Sequence, residues 1–198
     1  KCGTDHFDFY LLHNLCEDSV PVFTDPKKGV IPYLLEQKKN GRIRHFGLSS
    51  HAKPETLKAF LDQYDFFEFV QLQLNYLDWE MQDAKQQYEI VTNYGVPVWV
   101  MEPCRGGRLA SLTPEADKLL TDCDPGRSVA SWAFRYVMSL PNVGVILSGM
   151  TQMDQAENNV ETFSEGKHLT GQEQKVLNQA LEQFRSQVIV PCTACHYC

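Results

Sequence analysis

Two sets of residues in this chain have types and spacings that could do chemistry. The first is Cys192-Thr-Ala-Cys195-His-Tyr-Cys198, a CxxCxxC run preceded by Pro191. Three thiolates so spaced can hold three corners of a 4Fe-4S cube. A zinc site to which His196 contributes, or three idle thiols, are the other readings, but zinc sites usually pair CxxC units across a longer gap. The run stops before a fourth ligand, so a cluster would need one from elsewhere. The second set is a series of polar residues where short apolar runs end. His13 lies at the end of Phe7–Asn14, Ser49 and Ser50 near the end of Ile43–His51, Gln71 and Gln73 within Phe67–Asn75, Met101 and Glu102 near Pro103, and Ser148 before Gly149. An imidazole at such an exit can donate to an oxygen that gains charge. Taken singly, a His at a strand end is more often a surface or capping group, and a Ser pair is more often loop chemistry. Arg105-Gly106-Gly107-Arg108 offers backbone amides and two cations that suit a pyrophosphate, although a Gly pair in a loop is more often just a turn.

The elements that must position these groups are read from periodicity. Strands are expected at Phe7–Asn14, Ile43–His51, Phe67–Asn75, Pro97–Pro103 and Val143–Gly149. The last is nearly all apolar, as for a strand covered on both faces. Between them the pattern predicts a loop over Leu15–Asp25 and helices from about Pro26 to Asn40, Lys53–Tyr64, Glu80–Tyr94, a short one at Pro114–Leu120, and one over Gly126–Leu140. Two more follow at Gln152–Phe163 and Thr170–Gln187. Leu57, Phe60, Leu61 and Tyr64 fall at i, i+3, i+4 and i+7, and Thr170-Gly-Gln-Glu173 has the form of a capping box. Strands that alternate with helices are parallel. No strand is followed by GxGxxG, the fingerprint of an open dinucleotide-binding sheet. Polar residues at many strand ends favour a segment of a (β/α)8 barrel instead.

The chain has 198 residues, 43% of them hydrophobic, enough for one ordinary core and one domain, at most two. With 25 acidic against 18 basic residues and a net charge of -7, it would not attract a polyanion, so nucleic acid and membrane surfaces are excluded as partners and small molecules favoured. No apolar run approaches the roughly 18 residues that span a bilayer, and the opening Lys1-Cys2-Gly3-Thr4-Asp5 is unlike a signal peptide. A cytoplasmic location is expected. Cys2, Cys16, Cys104 and Cys123 share no spacing and read as free thiols of a reducing compartment. The chain opens without Met and stops on Cys198, so both ends are expected to be cuts within a longer protein.

FDFYLLHN, GRIRHFGLSSH, FVQLQLNYLD, VPVWVMEPCRGGRLA and VGVILSGMTQMDQAENNV occur in this order. Together they resemble the later strands of the aldo-keto reductases, and most of all those members that append a ferredoxin-like 4Fe-4S segment. The resemblance spans essentially the whole chain. It implies an α/β fold: residues 1–188 as strands four to eight of a TIM (β/α)8 barrel with their helices, and residues 189–198 as the start of an iron-sulfur segment. It implies hydride transfer between NADP or NAD and an aldehyde or ketone. His13 corresponds to the His of the family's Asp, Tyr, Lys, His tetrad, whose other members belong to the first three strands. Those strands are expected before Lys1, so the fragment alone is expected to be inactive.

Ser49 and Gln71 match residues that hold the nicotinamide carboxamide, while Ser50 stands where Asn is usual. Met101 or Glu102 falls where many members place a Tyr that stacks on the nicotinamide. Gly106 falls in the expected pyrophosphate loop, and Gly149, Gln155, Asn158 and Asn159 match the segment that grips the adenosine end. That segment carries no basic residue for a 2′-phosphate, which leaves NADH and NADPH both open. Cys192, Cys195 and Cys198 are implied ligands of a 4Fe-4S cluster in the intact protein, with a redox partner for it. The missing barrel half, or another copy of the chain, is expected to cover the open strand edges. A non-catalytic nicotinamide-binding regulatory or assembly module is the alternative function.

Overall fold

The computed structural model describes residues 2–187. Its strands are β1 (Phe7–Leu15), β2 (Ile43–Ser50), β3 (Val70–Gln73), β4 (Val98–Met101) and β5 (Val143–Ile146). They form one sheet in sequence order, with β1 and β2, and β2 and β3, paired in parallel. The helices are α1 (Val20–Thr24), α2 (Val30–Lys39), α3 (Pro54–Gln63), α4 (Asp78–Met81), α5 (Ala84–Asn93), α6 (Pro114–Cys123), α7 (Val129–Met138), α8 (Met153–Glu165) and α9 (Gly171–Gln187). Every expected strand is present, and the alternation with helices gives the α/β class. Two compact units are distinguished among the described residues: residues 2–72 with Asp83–Trp99, and Gln73–Gln82 with residues 100–187.

In the first unit, β2 shows why these residues make a strand under helices. Phe46 and Leu48 are fully buried, and Phe46 sits against Phe67 and Phe66 at ring-centroid distances of 5.3 and 6.0 Å. Pro54 opens α3, where its missing N–H costs nothing, and Leu57, Phe60 and Leu61 all bury, as their spacing predicts. The other face of β1 is uncovered: Phe9 is 53% exposed and lies 5.0 Å from Trp99 and 5.0 Å from the His45 ring. Phe69 stacks on Trp99 at 4.1 Å.

Gly47 is required by that stack. A Cβ on Gly47 would stand 2.4 Å from the Phe69 ring, too close for any real contact. Because Phe69 is held by Trp99, it cannot simply swing away. Gly47→Ala is expected to cost about 1–3 kcal/mol, read as a lower urea midpoint with an unchanged slope.

In the second unit, Thr113 accepts from Ala116 N at the start of α6, and Ser128 accepts from Ser131 N at the start of α7. Seven consecutive residues of α7, Ser131 to Val137, are buried, while Leu177, Ala180, Leu181 and Phe184 bury one stripe of α9, which packs on α6. The predicted capping box is reciprocal: Thr170 N donates to Glu173 Oε2 at 2.7 Å, and Glu173 N to Thr170 Oγ1 at 3.2 Å.

The structure departs from the sequence expectations in four places. The stretch Leu15–Asp25 is not all loop but contains α1, whose first turn tolerates Pro21. The helix expected from Pro26 starts only at Val30, after Gly29 takes a left-handed φ of 61°. The single helix expected over Glu80–Tyr94 is two, because Asp83 adopts φ 51° and breaks the ladder between α4 and α5. β5 is not covered on both faces: Val143, Val145 and Ile146 are half-buried and Gly144 is exposed, as suits a strand at the end of the sheet order. The iron-sulfur segment expected from residue 189 lies outside the described residues.

Candidate functional site

The first unit brings together four of the residues singled out in the sequence. β1 bulges between Leu12 and Leu15, where its pairing with β2 shifts register. Both leucines are buried, so they anchor the two sides of the His13–Asn14 step. Asn14 takes φ 64°, and its backbone N–H donates to Ser49 Oγ at 2.8 Å. Bulges of this kind re-aim a side chain at the end of a strand, and His13 is exposed there. Ser49 pairs across the ladder with Gln71, and Ser50 with Leu72. Both serines are 1% exposed, and each hydroxyl accepts one backbone N–H, from different segments. Ser50 Oγ accepts from Ala52 N at 3.2 Å and so serves its own turn. Ser49 accepts from Asn14 and keeps its O–H to donate.

Asn14 is a residue that the sequence reading passed over. Its Oδ1 is buried without a hydrogen-bond partner among the described residues. His51 follows the serines, and its N–H donates to Leu15 O at 2.9 Å. Burial, and secondarily the imidazole of His13, hold His51 below the ordinary histidine pKa, so it is neutral at pH 7.

The second unit contains a cavity of about 850 Å³ lined by Met101, Gly106, Gly149, Gln155, Asn158 and Asn159, all six of which the sequence had indicated. Its wall is mostly neutral. Asn158 Oδ1 accepts from Ser128 Oγ at 2.7 Å, and Asn159 Nδ2 donates to Ser148 Oγ at 3.0 Å. Gln155 Oε1 accepts from Thr151 N at 2.9 Å and Gln152 N at 3.3 Å, which caps α8. Apart from chain neighbours, no atom lies within 4 Å of a Cβ built on Gly107 or Gly149, so both face open space. Gly106 and Gly107 have φ of 62° and 88°, so side chains there would be strained.

The two cations expected for a pyrophosphate each make another contact in the fold. Arg105 is 4% exposed, with Nε 2.9 Å from Oδ1 of Asp78, itself fully buried. The guanidinium carbon of Arg108 lies 5.7 Å from the Phe184 ring centroid. Neither use could be read from a linear RGGR. The nearest signal was Asp78 itself, in NYLD.

Cys104 also lines this cavity. Burial, and then the Glu102 carboxylate, push its thiol up to about 12, so the reactive thiolate is scarce at neutral pH. In native protein at pH 7.5, maleimide is expected to label the exposed Cys2 and Cys123 and to leave Cys104 unmodified, as read by peptide mass spectrometry.

Cys192, Cys195 and Cys198 lie outside the described residues. Among the described residues no group of three or more His, Cys, Asp or Glu side chains could hold a metal ion, and no helix is long and apolar enough to cross a membrane.

A solved structure of the aldo-keto reductase AKR11C1 from Bacillus halodurans, in its holo form, is similar at 26% identity and a TM-score of 0.69, covering 89% of this chain and 59% of that one. The glycerol dehydrogenase AKR11B4 from Gluconobacter oxydans matches at 20% identity and TM-score 0.68, covering 96% of this chain and 62% of that one. An aldo-keto reductase from Klebsiella pneumoniae in complex with NADPH matches at 17% identity and TM-score 0.68, covering 91% and 60%. The chain thus spans about three-fifths of the length of these proteins. No curated protein sequence matches it. The profile of the aldo/keto reductase family matches residues 1–182, and the chain belongs to that family.

Proposed function

We propose that this chain is the carboxyl-terminal part of a nicotinamide-dependent carbonyl reductase: strands four to eight of a (β/α)8 barrel, over residues 1–188, that reduces an aldehyde or ketone with NADPH or NADH. Exposed Phe7, Phe9 and Tyr10 on β1, the first strand of the sheet order, support a barrel whose remaining strands come from another segment or chain. The observation that carries the functional reading is the pairing of Ser49, near the carboxyl end of β2, with Gln71 on β3, joined to the His13–Asn14 bulge by the Asn14 N–H.

The residues fit the cofactor. Ser49 O–H is a free donor and Asn14 Oδ1 an unused buried acceptor, a set that suits a carboxamide, which both donates and accepts. The cavity with Met101, Gly106, Gly149, Gln155, Asn158 and Asn159 has the size and the neutral hydrogen-bonding wall that suit an adenosine diphosphate moiety. When bound, the reduced nicotinamide supplies the hydride that the carbonyl carbon accepts. His13 donates a hydrogen bond to the carbonyl oxygen as its charge grows, and an acid from the family's earlier strands protonates it. Ser50 Oγ, which accepts from Ala52 N, likewise keeps an O–H that can donate to the carboxamide. Cys192, Cys195 and Cys198 are proposed as three ligands of a 4Fe-4S cluster in the intact protein, at the start of a segment over residues 189–198 that serves a redox partner.

The test is absorbance at 340 nm with the protein that carries all eight strands, NADPH or NADH, and a panel of aldehydes and ketones. Cofactor oxidation that requires a carbonyl is expected. Cofactor that stays inert with every carbonyl would sink the reading.

A further inference from the structure

A buried polar network stands beside the cavity in the second unit, and no step of the proposed reduction uses it. Asp78 is 0% exposed, and its Oδ2 collects three donors: Gln73 Nε2 at 2.9 Å, Asn75 Nδ2 at 2.7 Å and Arg105 Nε at 3.1 Å. Asn75, also 0% exposed, spends every group it has. Its Oδ1 accepts from Leu77 N at 3.1 Å and Asp78 N at 2.8 Å, and its Nδ2 also donates to Glu102 O at 3.0 Å. A buried charge is costly without a partner; Asp78 Oδ1 lies 2.9 Å from Arg105 Nε but accepts no hydrogen bond among the described residues, so Oδ2 carries the network. Here the partners converge on one loop.

That loop, residues 102–110, forms part of the cavity wall. It is tied at Glu102 by Asn75 and at Arg105 by Asp78. At and just after the ties it adopts an unfavourable backbone: Glu102 at φ 56° and Arg105 at φ 48° are left-handed without being glycine, and Gly106 and Gly107 continue at 62° and 88°. Left-handed non-glycine residues persist only where their surroundings over-determine them. The short bonds inside the loop, Arg105 N to Glu102 O at 3.0 Å, Arg108 N to Arg105 O at 3.1 Å and Leu109 N to Cys104 O at 3.0 Å, keep it folded as consecutive turns.

We propose that Asp78 is a positioning residue for the cofactor: through Arg105, and with Asn75 on the Glu102 carbonyl, it holds loop 102–110 in the strained shape that presents Gly106 and Gly107 to the phosphates of a bound dinucleotide. The arginine of the RGGR run then acts as a buried strut, not as a phosphate ligand. This rests on the reading that the cavity takes the dinucleotide. A wall shaped in advance spares the ligand the cost of ordering it.

The test compares, in the protein that carries all eight strands, the wild type with Asp78→Asn, which keeps the shape and removes the charge, and with Arg105→Lys, which keeps the charge and loses the guanidinium. Arg105→Lys keeps a cation but loses the planar guanidinium whose Nε meets Asp78, and serves as the readout if Asp78→Asn does not fold. Hydrogen exchange by mass spectrometry is measured first without ligand, and then affinities for ADP and NADPH are measured by calorimetry at a temperature where each protein is folded. In the variants, amides at 105, 108, 109 and 110 are expected to exchange at least about tenfold faster while those of α7 and α9 keep their wild-type rates, and both ligands are expected to bind about tenfold more weakly. Exchange that rises equally across α7, α9 and the loop, or unchanged affinity in folded variants beside a binding wild type, would overturn the positioning role alone. Wild-type protein that binds neither ADP nor NADPH would overturn the cofactor reading and this proposal with it.

Discussion

Replacing Phe46 with alanine is expected to destabilise the protein by about 3–5 kcal/mol. Phe46 is 0% exposed on β2, and its ring meets Phe67 at 5.3 Å and stacks on Phe66 at 6.0 Å. The deletion therefore leaves a cavity walled by rings that themselves pack on others, since Phe67 also lies 6.0 Å from Phe60. Rigid aromatic walls collapse poorly, which places the cost in the upper part of the range for core truncations. Tyr33→Ala, at a side chain 58% exposed, is expected to change stability by no more than about 0.5 kcal/mol. Urea unfolding of both variants measures the contrast. Similar losses at the two positions would mean that the aromatic cluster does not carry the packing of this unit.

His13→Ala is expected to lower kcat for carbonyl reduction by about 10²–10³-fold, with a smaller change in KM. On the proposed mechanism the imidazole donates to an oxygen that becomes more negative as the hydride arrives, so its contribution grows between bound substrate and transition state. The fold supports the side chain independently of its chemistry. Leu12 and Leu15 are buried on either side, and the Asn14 N–H is satisfied by Ser49 Oγ at 2.8 Å. Because His13 itself is exposed, its removal is expected to leave the melting temperature nearly unchanged. Steady-state kinetics in the protein carrying all eight strands, with thermal melts alongside, measure this. A fall in kcat/KM that follows a fall in stability would assign His13 a structural role instead.

The sequence made the strands legible because each couples an apolar run to a polar exit, and helices with strong periodicity, such as α3 with Leu57, Phe60 and Leu61, were equally plain. Boundaries set by single left-handed residues were not. Nothing in its residue type forces Asp83 to φ 51°, and that one dihedral divides a helix in two. The exposure of β5 was hidden for a different reason, since an apolar run reads the same whether it is covered on both faces or ends a sheet.

Within the candidate site, Ser49 and Gln71 were identifiable as polar residues in apolar strand runs, and their register makes them neighbours. The division of labour between adjacent residues was not visible. Ser49 and Ser50 are chemically identical, yet one takes the Asn14 amide and the other its own turn at Ala52. Likewise, Arg105 read as a cation available to phosphate, because its partner Asp78 is 27 residues away in sequence and only the fold brings them together.

The most direct measurement of the central claim follows an atom. Protein with all eight strands is incubated with NADPH deuterated at nicotinamide C4 and an aldehyde that it turns over, and the alcohol is analysed by mass spectrometry. The account predicts deuterium bonded to the former carbonyl carbon, with the amount of labelled alcohol matching the cofactor oxidised. Alcohol without deuterium, or cofactor oxidised with no alcohol formed, would contradict it.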